Sequence, residues 1–185
     1  MRVSRSLPLV LLAVTTLLPS AQATTLEKLS LDDMILKSTE IVRGRVLSVS
    51  GVKVRSLIYT QVLVQVNERF KGSSPDVVEV YIPGGTYGRE RLTFSGAPEL
   101  RPGYEYMLFL WAGKSAMRQV IGFSQGVFDL KVDGKTEGTL IRGAISETML
   151  DPRTGQEASD TPVSMRLGQM RDRIRAVLDG RSAAQ

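Results

Sequence analysis

Apolar and polar residues alternate most clearly in the middle of the chain, where residues 58–70 are predicted to form a long strand. Val62, Val64 and Val66 would point to one side of this strand, and polar residues such as Gln65 to the other. A period of two residues, with one polar side, is typical of a strand that buries one face and exposes the other to water.

Further strands follow from the same kind of pattern. They are predicted at residues 41–54, 77–82, 104–111, 120–123 and 127–132, with shorter strands at 139–141 and within 89–94. Gly44 and Gly51 interrupt the first of these, and a glycine inside a strand is typical of a bulge or a sharp bend. The prediction is a mainly β fold, a small and highly twisted β-barrel, with an open sandwich as the alternative.

A short helix is predicted over residues 24–39. Ser30 can cap it, and acidic residues follow in the first turn, where the helix dipole favours negative charge. The side chains expected to pack on the core are Leu29, Met34, Ile35 and, as a further candidate, Leu31. A helix of this length is marginal alone, so the prediction requires that packing.

A second helical pattern covers residues 163–178 near the C-terminus. Its apolar stripe consists of Val163, Leu167, Met170, Ile174 and Val177. Arginines lie largely off this stripe, and Gly180 can end the helix. The stripe fits a helix packed on its own domain, which is the preferred interpretation, and also a helix that docks on a membrane surface or a partner.

The first 23 residues have the three parts of a secretory signal peptide. Two arginines precede an apolar run at residues 7–18, Pro19 breaks it, and Ala21 and Ala23 are small residues where a signal peptidase reads. A membrane anchor is the alternative, but the run is shorter than the roughly 20 residues that span a bilayer. We therefore expect cleavage after Ala23, which makes Thr24 the new N-terminus, and export to the periplasm or the medium.

The predicted domain layout follows from these elements. It is a signal peptide over residues 1–23, a β-barrel domain over 24–143, a linker or surface loop over 144–162 and a C-terminal helix over 163–179. The full chain has 185 residues and a formal charge of +5, of which the leader supplies 23 residues and two arginines. The mature chain would thus have 162 residues and a charge of +3, enough for one domain and permissive of an acidic partner.

Two residue types are missing from the whole sequence, cysteine and histidine. An exported chain without cysteine has no disulfides, so packing alone must stabilise it. A cysteine nucleophile, a Ser-His-Asp triad and a zinc site built from histidine and cysteine are excluded as well. We predict no cofactor and no metal site, because the acids around Asp129 and Asp133 do not follow calcium-loop spacing.

Several segments in order resemble the netrin-like module, the OB-type barrel of tissue inhibitors of metalloproteinases. The resemblance covers residues 39–130 and rests on four pieces. They are Glu-Ile-Val-Arg-Gly-Arg-Val at 40–46, Phe-Lys-Gly at 70–72, Val-Glu-Val-Tyr at 78–81 before a Pro-Gly-Gly loop, and Leu-Arg-Pro-Gly-Tyr-Glu-Tyr-Met-Leu-Phe at 100–109. The chain is also similar to uncharacterised bacterial exported proteins that have the same pieces and an added C-terminal helix.

The resemblance implies an OB-like barrel and a binding function. In the animal inhibitors the mature chain begins with a cysteine, whose amine and carbonyl coordinate the zinc of the target protease. Here the mature chain would begin at Thr24, and no disulfide could hold that residue beside the barrel. The fold is therefore expected to carry over and the inhibitory mechanism is not.

The first candidate site is a loop over residues 83–98 that contains four glycines and two prolines. Tyr87, Arg89, Arg91 and Phe94 could form a contact patch there, since tyrosine and arginine are enriched at binding hot spots. A plain surface loop shaped by its glycines is the equal alternative. A phosphate cradle is not expected, because no Gly-Lys-Ser or Gly-Lys-Thr ending follows.

A second basic stretch consists of Arg43, Arg45, Lys53 and Arg55. Basic grooves on small barrels bind single-stranded nucleic acid when aromatic residues interleave with the basic ones. No such interleaving occurs here, so we predict solvated side chains and no nucleic-acid partner.

Three functional hypotheses remain. The first is an exported, non-catalytic binding module that engages a protein through loops at the barrel rim, with an exported protease as one candidate partner. The second is a structural or envelope-associated protein with an interaction helix. The third, a carboxylate-based enzyme, has no residue pair that points to it.

Overall fold

The computed structural model describes residues 25–113, 116–132, 134 and 137–180. The α-helices of these residues are α1 (Leu31–Lys37) and α2 (Leu167–Leu178). Their strands are β1 (Leu26–Glu27), β2 (Glu40–Val54), β3 (Leu57–Lys71), β4 (Val77–Pro83), β5 (Gly85–Tyr87), β6 (Glu90–Leu92), β7 (Glu105–Ala112), β8 (Arg118–Val120), β9 (Val127–Lys131), β10 (Thr139–Arg142), β11 (Met149–Leu150) and β12 (Val163–Arg166). The protein is thus mainly β, as predicted. No helix of the described part is long and apolar enough to cross a bilayer.

Eight strands form the main sheet in the order β12-β10-β9-β7-β2-β3-β4-β8. One edge of β7 pairs with β2, and its other edge is shared between β8 and β9. Because β8 also pairs with β4, the five strands β7, β2, β3, β4 and β8 form a closed circuit of pairings. The strands β9, β10 and β12 extend the sheet from the first half of β7.

The predicted long strands are present, with small shifts of their ends. The pairing of β2 with β3 is irregular beside Gly44, where a side chain would collide with the backbone of Gln65. The bulge predicted at this glycine is therefore confirmed. The strand predicted at residues 120–123 was misplaced: β8 ends at Val120, and a 3-10 turn begins at Phe123.

Two separate apolar cores lie on the two faces of β7. The circuit core is formed by Val42, Val46, Val62, Val64, Val66, Val78, Val80, Ile82, Leu100, Tyr106, Leu108 and Leu110. The helix-side core is formed by Leu29, Met34, Ile35, Ile41, Met107, Phe109, Phe128, Leu140, Leu167, Met170, Ile174 and Val177. Alternate residues of β7 therefore enter different cores, and the strand is buried on both faces.

The short helix α1 forms after the predicted Ser30 cap and is shorter than the predicted residues 24–39, because residues 26–27 form β1 instead. Ser30 caps it by accepting a hydrogen bond from the Asp33 backbone N–H at 3.0 Å, and the Asp33 carboxylate accepts one from the Ser30 backbone N–H at 3.2 Å. This reciprocal capping box satisfies donors that the first helical turn leaves free. Met34 and Ile35 are buried in the helix-side core, which confirms the predicted packing.

The helix α2 begins four residues later than predicted. Val163 does not belong to it, because residues 163–166 form β12 and pair with β10. The backbone N–H of Leu167 then donates to the carbonyl oxygen of Gly138. The remaining stripe residues, Leu167, Met170, Ile174 and Val177, are buried in the helix-side core. The helix therefore packs on its own domain, as the preferred interpretation predicted.

Ion pairs hold α2 to the rest of the fold. Arg173 donates two hydrogen bonds to the Asp32 carboxylate on α1, at 2.8 and 2.6 Å. Arg171 contacts Glu68 of β3 at 3.0 Å and Glu137 at 2.9 Å, and these carboxylates raise the pKa of the guanidinium. Two arginines off the apolar stripe, Arg171 and Arg173, are thus structural contacts, whereas Arg175 is exposed.

The segment predicted as a linker or surface loop, residues 144–162, is irregular over most of its length but packs against the domain. Met149 is buried, and β11 pairs in parallel with β1. Near the other end, the Asp160 carboxylate accepts a hydrogen bond from Arg142 at 2.9 Å, and both side chains are more than nine-tenths buried. An apolar anchor and a buried ion pair therefore fix this segment in place.

We expect replacement of Ile174 by alanine to destabilise the protein by about 2–5 kcal/mol, because it removes a fully buried side chain from the helix-side core. Leu178, on the same helix, is 41% exposed, and Leu178→Ala should cost only about 0.5 kcal/mol. Urea unfolding of the two variants provides the measurement. Equal losses of unfolding free energy in the two variants would contradict the packing of the stripe in the helix-side core.

We also expect Asp160→Asn to destabilise the fold by about 3–5 kcal/mol, because it leaves the buried charge of Arg142 unpaired. Asp151→Asn is the matched control, since Asp151 faces an exposed arginine at 3.6 Å. The double variant Asp160→Leu with Arg142→Leu should recover most of the lost stability. Failure of the double variant to recover any of it would contradict this account.

Candidate functional site

The two longest strands, β2 and β3, extend beyond β7 and form one end of the sheet, where β4 accompanies β3 as far as Tyr59. The pairing of β2 with β7 stops at Arg45, whereas β2 continues to Val54 paired with β3. The hairpin of β5 and β6 lies against this projection. We call the β2–β3 turn (residues 52–58) together with the β5–β6 hairpin (residues 85–92) the hairpin end.

Close backbone contacts fix the β5–β6 hairpin on β2 and β3. The Gly84 backbone N–H donates to the Ile58 carbonyl oxygen at 2.9 Å, and the Gly84 carbonyl oxygen accepts from the Thr60 hydroxyl at 2.9 Å. A Cβ atom at Gly51 would collide with the carbonyl oxygen of Thr86. The β2–β3 register does not shift at Gly51, so this glycine allows close approach of the hairpin rather than forming a bulge.

Three of the four predicted loop residues are exposed on this hairpin. The sequence places a short strand within 89–94, and the structure forms it as β6, Glu90–Leu92, paired with β5. Tyr87 is 48% exposed, and both Arg89 and Arg91 are exposed. Phe94 is partly buried.

The register of the hairpin separates these side chains. Tyr87 pairs with Glu90, whereas Arg91 pairs with Thr86, so Tyr87 and Arg91 lie on opposite faces. Arg89 belongs to the two-residue turn between the strands. The structure therefore brings Tyr87 and Arg89 together at the end of the hairpin and directs Arg91 elsewhere.

The remaining predicted site residues, Thr24 with the cleavage-site residues Ala21 and Ala23, lie outside the described residues. Hydrogen bonds hold the first described residues, 26–29, against the domain. The Leu26 backbone N–H donates to the Thr148 carbonyl oxygen at 3.0 Å, and Gln125 bonds the backbone of both Glu27 and Leu29 at 2.9 Å.

Positive charge at the hairpin end is mostly uncompensated. Lys53 donates to both carboxylate oxygens of Glu90, at 3.0 and 2.7 Å. Arg55, Arg89 and Arg91 make no ion pair with any residue that the structure describes. Since Glu90 is the one acid within residues 52–58 and 85–92, the hairpin end carries a net positive charge.

The β2–β3 turn was not predicted as a site. Arg55 was grouped with Arg43, Arg45 and Lys53 as one basic stretch, but the structure separates these residues. Arg43 lies 3.3 Å from Glu105 and 3.6 Å from Glu68, and Arg45 lies 3.9 Å from Glu105. The available signal was Arg55, which falls between two predicted strands, with the apolar Leu57 two residues further on.

A polar cleft of about 350 Å³ lies elsewhere, between residues 96–99 and 142–147. Tyr106 lines it, and burial raises the pKa of its phenol, whose oxygen accepts a hydrogen bond from the Arg101 backbone N–H at 3.2 Å. The phenol therefore stays protonated near neutral pH. No group of three or more acids suited to a metal ion occurs among the described residues.

We expect Gly51→Ala to loosen the β5–β6 hairpin, because the new methyl group overlaps the Thr86 carbonyl oxygen. Overpacking costs about 1–3 kcal/mol, which raises the open population roughly 5- to 150-fold. Trypsin cleavage after Arg89 and Arg91 measures this opening. Gly143→Ala, where a Cβ meets no atom within 4 Å, is the control; equal cleavage of both variants would contradict the close contact.

No protein-family model matches this chain, and neither a curated protein nor a solved structure does.

Proposed function

We propose that the protein is an exported, non-catalytic binding module built on an OB-like barrel, and that it engages a protein partner through the hairpin end. The export element of the proposal rests on the leader pattern of residues 1–23. The absence of cysteine and histidine from the sequence supports a binding role over hydrolytic chemistry.

The closed strand circuit supports the barrel element of the proposal. Its order, β2-β3-β4-β8-β7 and back to β2, has one parallel pair, β4 with β8, among antiparallel ones. A five-stranded, highly bent barrel needs bulges, and the pairing of β2 with β3 has three irregularities. This arrangement is compatible with the resemblance to netrin-like modules.

The uncompensated arginines of the hairpin end carry the proposal for its site. Arg89 lies in the turn of the β5–β6 hairpin, two residues from the half-exposed Tyr87, and Arg91 is exposed on the opposite face of the same hairpin. Tyrosine and arginine supply most of the energy at protein interfaces, where the rest of the contact excludes water. An exported protease remains one candidate class of partner, since that suggestion comes from the resemblance.

The alternative, an envelope-associated protein with an interaction helix, requires α2 to present an apolar face to a partner. The apolar residues of α2 are buried in the helix-side core, and its arginines Arg171 and Arg173 are engaged by carboxylates. What the helix still exposes is Leu178 and polar side chains. A docking role for this helix would require it to leave its own domain.

A site-specific crosslinking experiment tests the proposed function. A photoreactive phenylalanine analogue replaces Tyr87 in one sample and Tyr104, which is 51% exposed on another part of the fold, in the matched control. Illumination in the exported-protein fraction of the source cells should give a discrete crosslinked protein from position 87 and none from position 104. The same products from both positions would contradict the proposed site.

A charge-deletion pair then measures the energetic role of the arginines. We expect Arg89→Ala with Arg91→Ala to weaken binding of the crosslinked partner by about 2 kcal/mol, or roughly 30-fold. Arg101→Ala with Arg153→Ala removes two exposed charges elsewhere and should leave the affinity unchanged. Equal losses in the two pairs would assign the effect to net charge rather than to the hairpin end.

A further inference from the structure

The second half of β2 has a free backbone edge. The pairing of β2 with β7 ends at Arg45, and the backbone of Val46 still bonds to residues 103 and 104 at 2.8 and 2.9 Å. Residues 47–54 then pair with β3 alone, and no other described strand pairs with their second side. The first four of these residues are all exposed. A stretch of about 25 Å of strand thus has one side open to solvent.

The pairing pattern shows which backbone groups point to this open edge. The Gly84 N–H donates to the carbonyl oxygen of Ile58, so the backbone groups of Ile58 face the β4 side of β3. Opposite residues of an antiparallel pair alternately bond to each other and point away from each other. Lys53 is the residue opposite Ile58, and its N–H and C=O groups therefore point away from β3, into the open edge.

The same direction recurs at every second residue, because the β2–β3 register is regular over residues 48–54. The N–H and C=O groups of Val49, Gly51 and Lys53 thus all face the open edge. None of these groups has a hydrogen-bond partner among the described residues. Donors and acceptors that alternate at this spacing match the backbone of another extended chain, which can add to the sheet as a further strand.

The β5–β6 hairpin crosses the sheet towards this edge. A Cβ atom at Gly85 would collide with the Thr60 hydroxyl on β3, and one at Gly51 would collide with the Thr86 carbonyl oxygen. Gly51 and Thr60 are cross-strand partners, so β5 runs over this pair from β3 to β2. The tip of the hairpin, residues 87–89, continues in that direction and lies beside the open edge.

The charges around the open edge are basic. Residues 45–55 contain no acid. Arg55 follows the open edge at one end, Arg45 precedes it at the other, and Arg89 lies in the hairpin tip; all three are exposed. The charge of Lys53 is already compensated by Glu90. An extended chain on this edge would therefore be favoured by acidic side chains.

We propose that residues 47–54 of β2 bind an extended, acidic segment of the partner protein as an added β-strand. The proposal rests on the protein-binding function and specifies how the partner is held. The backbone of the segment exchanges about six hydrogen bonds with Val49, Gly51 and Lys53. Its acidic side chains contact Arg55 and Arg89.

A second copy of this chain fits the edge less well than a segment of another protein. Symmetric antiparallel pairing about residues 50–52 would bring two hairpin tips together on the same face, because each tip reaches past its own edge there. Pairing about Val49 would push residue 53 against residues 103 and 104, which occupy the end of the open edge. Pairing about Lys53 would set two lysines opposite each other, and like charges in that position are destabilising.

A synthetic peptide tests the proposal directly. The probe is fluorescein-labelled Glu-Val-Thr-Val-Thr-Val-Glu-amide, mixed with the protein without residues 1–23, and fluorescence anisotropy measures the affinity. Two further probes are N-methylated at the odd or at the even amides, which removes the donors on one side of the extended peptide. Because only one side of the peptide faces β2, we expect one methylated probe to lose at least about tenfold in affinity and the other to bind almost as the parent does. Absence of binding by the parent peptide, or equal affinities of the methylated pair, would overturn the proposal.

A proline at Val49 locates the contact. Val49→Pro removes a donor that faces the open edge and no hydrogen bond to β3, so the protein should stay folded and lose at least about fivefold in peptide affinity. Val49→Ala keeps the donor and should bind within about threefold of the unaltered protein. Circular dichroism checks the fold of both variants. Equal peptide affinities of the two variants would contradict strand addition at this edge.

Amide hydrogen exchange provides a measurement on the unaltered chain. The N–H groups of Val49, Gly51 and Lys53 should exchange rapidly in the free protein and slow at least about tenfold when the peptide is saturating. The N–H groups of Ser50 and Val52 point to β3 and should be protected in both states. Protection of the first set without the peptide, or no change with it, would show that the edge is not the binding site.

The crosslinking experiment at position 87 separates this proposal from the function on which it rests. In a Val49→Pro background, the photoreactive residue at position 87 should give at least about fivefold less of the crosslinked protein. Undiminished crosslinking would reject strand addition and leave the protein-binding function standing. Absence of any product from position 87 in both backgrounds would contradict the protein-binding function itself.

Discussion

Burial of β7 on both faces is the constraint on which the rest of the structure depends. Met107 and Phe109 enter the helix-side core, and Tyr106, Leu108 and Leu110 enter the circuit core. A strand covered on both sides must be apolar throughout, and residues 106–110 are fully or almost fully buried. Because one strand contributes to both cores, loss of either the other strands of the circuit or the helices would expose one apolar face of β7.

The position of β7 also determines which part of β2 and β3 it leaves uncovered. Its eight residues cover only the first part of β2, as far as Arg45, so the 15-residue strands β2 and β3 project beyond it. The chain covers part of that projection with the β5–β6 hairpin, and Gly51 permits the necessary backbone contact. The exposed arginines and apolar side chains are therefore a consequence of strand lengths that do not match.

Local signals in the sequence were sufficient for most strands and for the first helix. The Ser30 cap and the alternating valines of β3 depend on neighbouring residues, so they could be read without the fold. The start of α2 could not, because Val163 fits the helical stripe and only its pairing with Arg142 of β10 makes it a strand. The parallel pair of β1 with β11 joins two-residue segments more than 120 positions apart, and no local pattern indicates such a pair.

The candidate site was predictable in composition and not in arrangement. The sequence identified Tyr87, Arg89 and Arg91 as one patch, but a β-hairpin with a two-residue turn places Tyr87 and Arg91 on opposite faces. It also treated the basic residues of β2 as equivalent.

Pairing across the sheet determines which basic residues remain free. Arg43 and Arg45 face Glu105, whereas Arg55 lies beyond the last residue that β7 pairs on β2 and has no carboxylate opposite it. The same feature that leaves the long hairpin uncovered therefore also leaves its charge uncompensated. An arginine already engaged by a carboxylate must lose that contact before it can bind a partner, whereas Arg55, Arg89 and Arg91 pay no such cost. Recognition by this protein is for that reason expected at the end of the molecule where the sheet is narrowest.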